Sequence, residues 1–81
     1  MRLPRDLDYR AIVKAFSSIG YTITRQTGSH IRLTTEINGQ HHITIPAHRP
    51  VKIGTLNAII VEVAEHFKIT KNELMLKIFP E

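Results

Sequence analysis

Cysteine is absent from the 81 residues. Disulfide staples and thiolate metal sites are thereby excluded, and a reducing cytosol is the expected setting. Long apolar runs are missing as well. No stretch approaches the ~20 residues of a membrane-spanning helix, and Met1-Arg2-Leu3-Pro4-Arg5 leads into no signal-peptide core. A cytoplasmic protein without membrane contact is therefore expected. The five histidines include no His-x-x-x-His pair, and no acidic cluster accompanies them, so the pattern does not call for zinc. Neither a cysteine nor a serine in an apparent triad offers a covalent nucleophile. No phosphate loop or dinucleotide fingerprint occurs. The sequence thus predicts no cofactor and no metal.

What remains is a chain that is 42% hydrophobic, with Leu, Ile and Val along its whole length, which argues against disorder. Its length predicts one domain spanning residues 1–81, with a small core and modest stability. The net charge is +4, unevenly spread. Residues 1–54 hold eight basic and three acidic residues; residues 55–81 hold three basic and four acidic. A positive N-terminal two-thirds favours a polyanionic partner, nucleic acid above all, although ordinary surface charge accounts for the same numbers.

Asp8 is a suitable N-cap for a helix over residues 9–18, where Ile12, Val13, Phe16 and Ile19 repeat at helical spacing. Gly20 falls where a helix end calls for positive φ. Residues 21–25 are rich in β-formers and predict a strand with Ile23 facing the core. Residues 26–29 read as a turn, residues 30–36 as a second strand with Ile31 and Leu33 inward, and residues 40–45 as a third. Register decides the connecting hairpin. A two-residue Asn38-Gly39 loop sets Leu33 against Thr44 and puts Ile43 and Ile45 on the wrong face. A three-residue loop over Ile37, Asn38 and Gly39, with Gly39 left-handed, pairs Leu33 with Ile43 and Ile31 with Ile45. Arg32, Thr34, His42 and Thr44 then share the opposite face. After a loop from Pro46 to Gly54, Thr55 is expected to cap a helix over residues 56–67, with Leu56, Ile59, Ile60, Val63 and Phe67 as its buried stripe. Thr70-Lys71-Asn72-Glu73 reads as a capping box opening a short third helix that carries Leu74 and Ile78. The predicted fold is α+β: an α-β-β-β-α order, a three-stranded antiparallel sheet with helices on one face, and a short C-terminal helix.

Gly28-Ser29-His30 stands at the start of the second strand. His30 shares parity with Arg32 and Thr34, so it avoids the core face. An accessible imidazole titrates near neutral pH and suits proton transfer. Arg25 and Arg32 are near enough in sequence to hold a phosphate. RNA brings its own nucleophile, the 2′-OH, so one proton-transfer group and phosphate contacts suffice for a metal-independent ribonuclease. The competing reading is an exposed strand-end histidine with no role, and by itself a Gly-Ser-His tripeptide favours that reading. His41 and His42 are adjacent and point to opposite faces, so they do not share a metal. His48 lies in a proline-flanked loop with Arg49 and Lys52, as a phosphate contact or as simple loop polarity. His66 on the second main helix is expected to be a solvated surface residue. Arg10 and Lys14 on the first helix read equally as a backbone-binding face or as solvated charge.

The ordered combination of segments resembles the HicA family of bacterial toxins, also described as YcfA-like. Residues 8–21 (DYRAIVKAFSSIGY) resemble its first helix and glycine-aromatic entry to the first strand. Residues 25–30 (RQTGSH) resemble the signature before its second strand. Residues 43–48 (ITIPAH) resemble its "V-x-V-P-x-H" strand and exit, and residues 52–56 (KIGTL) its "K-x-G-T-L" helix entry. By this resemblance His30 matches the family's catalytic histidine, and Gly28 and Ser29 match neighbours that shape the turn. His48, Lys52 and Thr55 match motif positions. The resemblance implies a double-stranded-RNA-binding-like fold and a toxin of a type II toxin–antitoxin system. It also implies an mRNA-cleaving endoribonuclease that acts without the ribosome. The implied partner is a HicB-type antitoxin, with the chain a monomer or part of an antitoxin-assembled oligomer. The chain departs from the pattern after Phe67, where Lys68 to Glu81 extend beyond the shortest members, and at Ser17 and Ser18, where lysines are common.

Three readings follow. An endoribonuclease requires His30. A non-catalytic RNA-binding domain of the same fold requires the basic face but not His30. A protein-interaction module that docks a partner strand on its sheet edge requires neither. The candidate substrate contacts are Arg25, Gly28, Ser29, Arg32, His48 and Lys52.

Overall fold

Asp8 opens the first helix as the sequence predicts. In the computed structural model, which describes residues 3–80, its carboxylate accepts the Arg10 backbone N–H at 2.8 Å. The readings that rest on Met1, Arg2 and Glu81 lie outside the described residues. Helix α1 (Tyr9–Ser17) buries Ile12, Ala15 and Phe16. The chain then reverses at Gly20, whose φ of 109° is a conformation that L side chains rarely adopt. Three antiparallel strands follow in the order β1 (Thr22–Thr27), β2 (His30–Thr35) and β3 (His41–Pro46). Helices α2 (Ile53–Phe67) and α3 (Lys71–Ile78) complete the α-β-β-β-α order and its C-terminal addition. No helix among the described residues is long and apolar enough to cross a membrane.

The β2–β3 register is the one that aligns the apolar faces. Leu33 lies opposite Ile43 and Ile31 opposite Ile45, with Asn38 at φ 61° and Gly39 at φ 95° in the loop. All four aliphatic side chains are buried with Ile12, Phe16, Leu56, Ile60 and Val63 in one core.

Strand β1 departs from expectation. It runs two residues longer, to Thr27, so the turn into β2 is Gly28-Ser29 alone. Ile23, expected in the core, is 54% exposed, and every residue of β1 is open to solvent. Two causes combine. Helices α1 and α2 pack mainly over β3, leaving β1 as an uncovered edge. The register also shifts between Ile23, opposite Leu33, and Arg25, opposite Arg32, which leaves Thr24 as an extra residue in a bulge.

Helix α2 starts two residues before the predicted cap. Lys52, extended at φ −61° and ψ 137°, occupies the N-cap without a side-chain bond, and Thr55 is the third helical residue. The buried Val51, whose N–H donates to Leu7 O at 2.9 Å, fixes the approach of the chain, so the helical turn begins directly after it. Leu56, Ile59, Ile60 and Val63 are buried as predicted, joined by Ala64; Phe67 is only half-buried. The left-handed Lys68 (φ 56°) ends the helix. The capping box at Thr70 and Glu73 is formed in both directions, each bond 3.0 Å long. An eight-residue helix is too short to persist alone. Burial of Leu74, Met75 and Ile78 against α2 supplies the rest.

His66 is not the solvated residue expected. Its Nε2–H donates to Ile37 O at 2.9 Å, and its own carbonyl accepts from Asn38 Nδ2 at 2.9 Å, so α2 clasps the β2–β3 loop. Its ring stacks on His41 with centroids 4.5 Å apart. His41 bridges the Tyr21 hydroxyl, 2.8 Å from Nδ1, and the Glu62 carboxylate, 3.0 Å from Nε2. A carboxylate only accepts, so Nε2 carries the proton, and in the neutral ring Tyr21 donates to Nδ1. Burial, with the Glu62 charge adding to it, pushes the Tyr21 phenol up to about 12, which keeps it a donor.

Candidate RNA-facing site

The turn before β2 is built by its glycine. Gly28 has φ 57° at the first central position of a two-residue hairpin, a conformation that favours glycine there. The neighbouring Ser29 anchors the turn to the next strand, its carbonyl accepting the Ala47 N–H. His30 therefore begins β2 between Thr27 of β1 and Pro46 of β3. Its side chain is exposed, and no hydrogen bond or ion pair engages its ring among the described residues.

The bulge decides what stands beside it. Ile23 and Arg25 have the same parity in sequence and in a regular strand share one face. The extra residue Thr24 separates them, and Arg25 pairs with Arg32, which shares the face of His30. The Arg25 Nε donates to Thr27 Oγ1 at 3.3 Å, drawing the guanidinium to the level of His30. Arg32 lies two residues along β2, or about 7 Å at ~3.4 Å per residue. Its Nε is shielded and has no hydrogen-bond partner among the described residues. Neither arginine has a carboxylate partner among the described residues.

The remaining predicted contacts divide. His48 follows the Ala47 anchor; it is exposed, and its carbonyl accepts the Tyr9 N–H at 3.3 Å. That places the β3 exit and the start of α1 near the turn. Lys52 is exposed at the head of α2, and no hydrogen bond ties it to the His30 turn. Arg49, beside both, is already engaged: its Nε meets Asp8 at 3.3 Å and its guanidinium sits 5.6 Å from the Tyr9 ring centre. Hydrogen bonds from the Arg10 side chain and backbone, with the charges of Arg10 and Arg49, hold the Asp8 carboxyl down to about 2. No cluster of metal-ligating side chains occurs among the described residues.

With this geometry, comparison with known proteins is decisive for the family. The family model described as the HicA toxin of bacterial toxin–antitoxin systems matches residues 9–65, from the start of α1 almost to the end of α2. The chain belongs to the HicA toxin family. No curated protein and no solved structure matches it. Membership makes this HicA chain the toxin half of a pair, with an antitoxin as its counterpart. Helix α3 lies outside the matched segment, and the His30 turn, Arg25, Arg32, His48 and Lys52 all lie within it.

Sequence reasoning passed over two groups. The bond between Arg49 and Asp8 joins residues 41 positions apart, and no short spacing signals it. On the face of β2 that carries His30, Thr34 Oγ1 lies 2.7 Å from Thr24 Oγ1 and 2.7 Å from His42 Nδ1. The expected register placed Thr34 and His42 on one face, but Thr24 reaches them only through the bulge.

Proposed function

We propose that this HicA chain is an endoribonuclease that cleaves mRNA without the ribosome, with His30 as its proton-transfer residue. The observation that carries the reading is an accessible, unengaged imidazole, with a guanidinium drawn to its level and a second one along the strand. The RNA 2′-OH attacks the adjacent phosphorus, the P–O bond to the next nucleotide breaks, and the departing oxygen takes up a proton. His30 moves a proton in this exchange. Arg25 and Arg32, with His48 and Lys52 farther out, hold the phosphates, and Gly28 and Ser29 shape the turn. The reaction needs no cofactor. A HicB-type antitoxin silences the toxin by covering His30, since a small basic surface is readily masked by an acidic protein.

The test pairs activity with stability. His30→Ala lowers the rate of RNA cleavage by about 10²-fold or more. Folding stability stays within about ±0.5 kcal/mol, because the side chain is exposed. A 2′-deoxy substitution at the cut site blocks cleavage by the unaltered protein. A well-folded His30→Ala variant that cleaves at the original rate overturns the assignment and leaves an RNA-binding module.

A further inference from the structure

The sheet face opposite the helices holds a second organised histidine. Thr24 Oγ1 lies 3.4 Å from Arg32 O, 2.7 Å from Thr34 Oγ1, and Thr34 Oγ1 in turn 2.7 Å from His42 Nδ1. Only one sense of donation makes all three bonds. A carbonyl only accepts, so Thr24 donates to Arg32 O; Thr34 then donates to Thr24, and His42 Nδ1–H donates to Thr34. In that arrangement neutral His42 keeps its proton on Nδ1 and leaves Nε2 as a bare acceptor. Its neighbour His41, with Nε2–H on Glu62, is fixed in the opposite tautomer on the opposite face. His42 is exposed, and Thr34 beneath it is buried.

We propose that this outer sheet face is a track for single-stranded RNA, and that His42 recognises a hydrogen-bond donor on a nucleotide beyond the one His30 acts upon. The inference rests on the ribonuclease reading for its substrate. Charge supports it: the outward residues of the three strands include Arg25, Arg32, His30 and His42, and the strands hold no acidic residue. Size allows a single strand: a six-residue strand is about 20 Å long at ~3.4 Å per residue, enough for a few nucleotides. Separation gives His42 its own nucleotide. It pairs with Thr34, four residues from His30 along β2, or about 14 Å. A hydrogen bond reaches about 3 Å, so the two histidines do not share a phosphate. Unstacked bases are read at their edges, and an acceptor at a fixed position selects a base amino or imino group or a ribose 2′-OH.

Binding is measured in the His30→Ala protein with fluorescent single-stranded RNA oligonucleotides, so the result does not depend on what His30 does. Adding His42→Ala is expected to weaken binding about fivefold, the scale of one hydrogen bond, with an unchanged melting curve. His42→Asn, which keeps an acceptor, recovers part of the loss. In the protein with His30 intact, a base contact shows as altered cleavage-site preference after His42→Ala, and a 2′-OH contact as an even loss across sites. Imidazole ¹⁵N spectra read the mechanism directly: His42 is Nδ1–H, and Thr34→Val releases it toward Nε2–H. Binding unchanged by His42→Ala, or an Nε2–H tautomer in the unaltered protein, overturns the proposal while leaving the role of His30 standing. Failure of the unaltered protein and of the His30→Ala protein alike to bind RNA overturns both.

Discussion

Leu74→Ala tests how far the C-terminal helix belongs to the fold, since α3 lies outside the segment matched by the family model. Leu74 is fully buried, while Leu76 on the same helix is 55% exposed. Truncating Leu74 removes three buried carbons, or about 2.4 kcal/mol at ~0.8 kcal/mol each. The unfilled cavity raises the loss to about 3–4 kcal/mol. The better helix propensity of alanine returns only about 0.2 kcal/mol. A chain of this length is expected to hold about 4–12 kcal/mol in all, so one substitution removes a quarter or more of the stability. Leu76→Ala makes the same chemical change at an exposed site and stays within about ±0.5 kcal/mol. Urea unfolding of both variants gives the comparison, with the slope checked for constancy. Equal, small losses from the two substitutions would refute the reasoning and make α3 an appendage rather than part of the core.

Two further outcomes follow from the polar contacts. Tyr21→Phe leaves the half-buried His41 Nδ1 without its donor and costs about 1 kcal/mol in urea unfolding; no loss would mean that the Tyr21–His41–Glu62 chain is not formed in solution. Asp8 titrates near 2 in the folded chain against 3.8 for a free side chain, so its bonds to Arg10 and Arg49 contribute fully above pH 3.8 and are lost as pH falls toward 2. Acid unfolding of Asp8→Asn should lack that part of the pH dependence, and an Asp8 carboxyl ¹³C titration centred at its ordinary value would contradict the assignment.

Alternation made the β2–β3 pair legible from sequence, because a one-residue error there exposes Ile43 and Ile45. The capping box was equally clear, since its two residues bond each other across one helical turn. Strand β1 resisted the same reasoning. Ile23 has the right parity for burial, but burial depends on whether a helix lies above it, and α1 and α2 lean toward β3 instead. Thr55 looked a better cap than Lys52 by residue type, yet the anchoring of Val51 to Leu7 decided where α2 begins. At the candidate site, the exposure of His30 and the turn at Gly28 were readable locally. The alignment of Arg25 with Arg32 was not, since Thr24 carries no residue-type signal for a bulge. His66 was misjudged because its partners, Ile37 and Asn38, lie about thirty positions away.

A one-residue deletion inside a strand ordinarily turns every side chain on one side of the gap over to the other face. Thr24 is an exception. With it removed, Ile23 still meets Leu33 and Arg25 still meets Arg32, and the ladder merely becomes regular. The shortened strand would keep its guanidinium level with His30 and lose only the Thr24 hydroxyl beneath Thr34 and His42. The edge would also straighten, and a straight, fully exposed edge strand invites pairing with another chain. The extra residue thus has two effects: it supplies the hydroxyl that meets Thr34 in the chain to His42, and it breaks the regularity of an exposed edge on which another strand could pair.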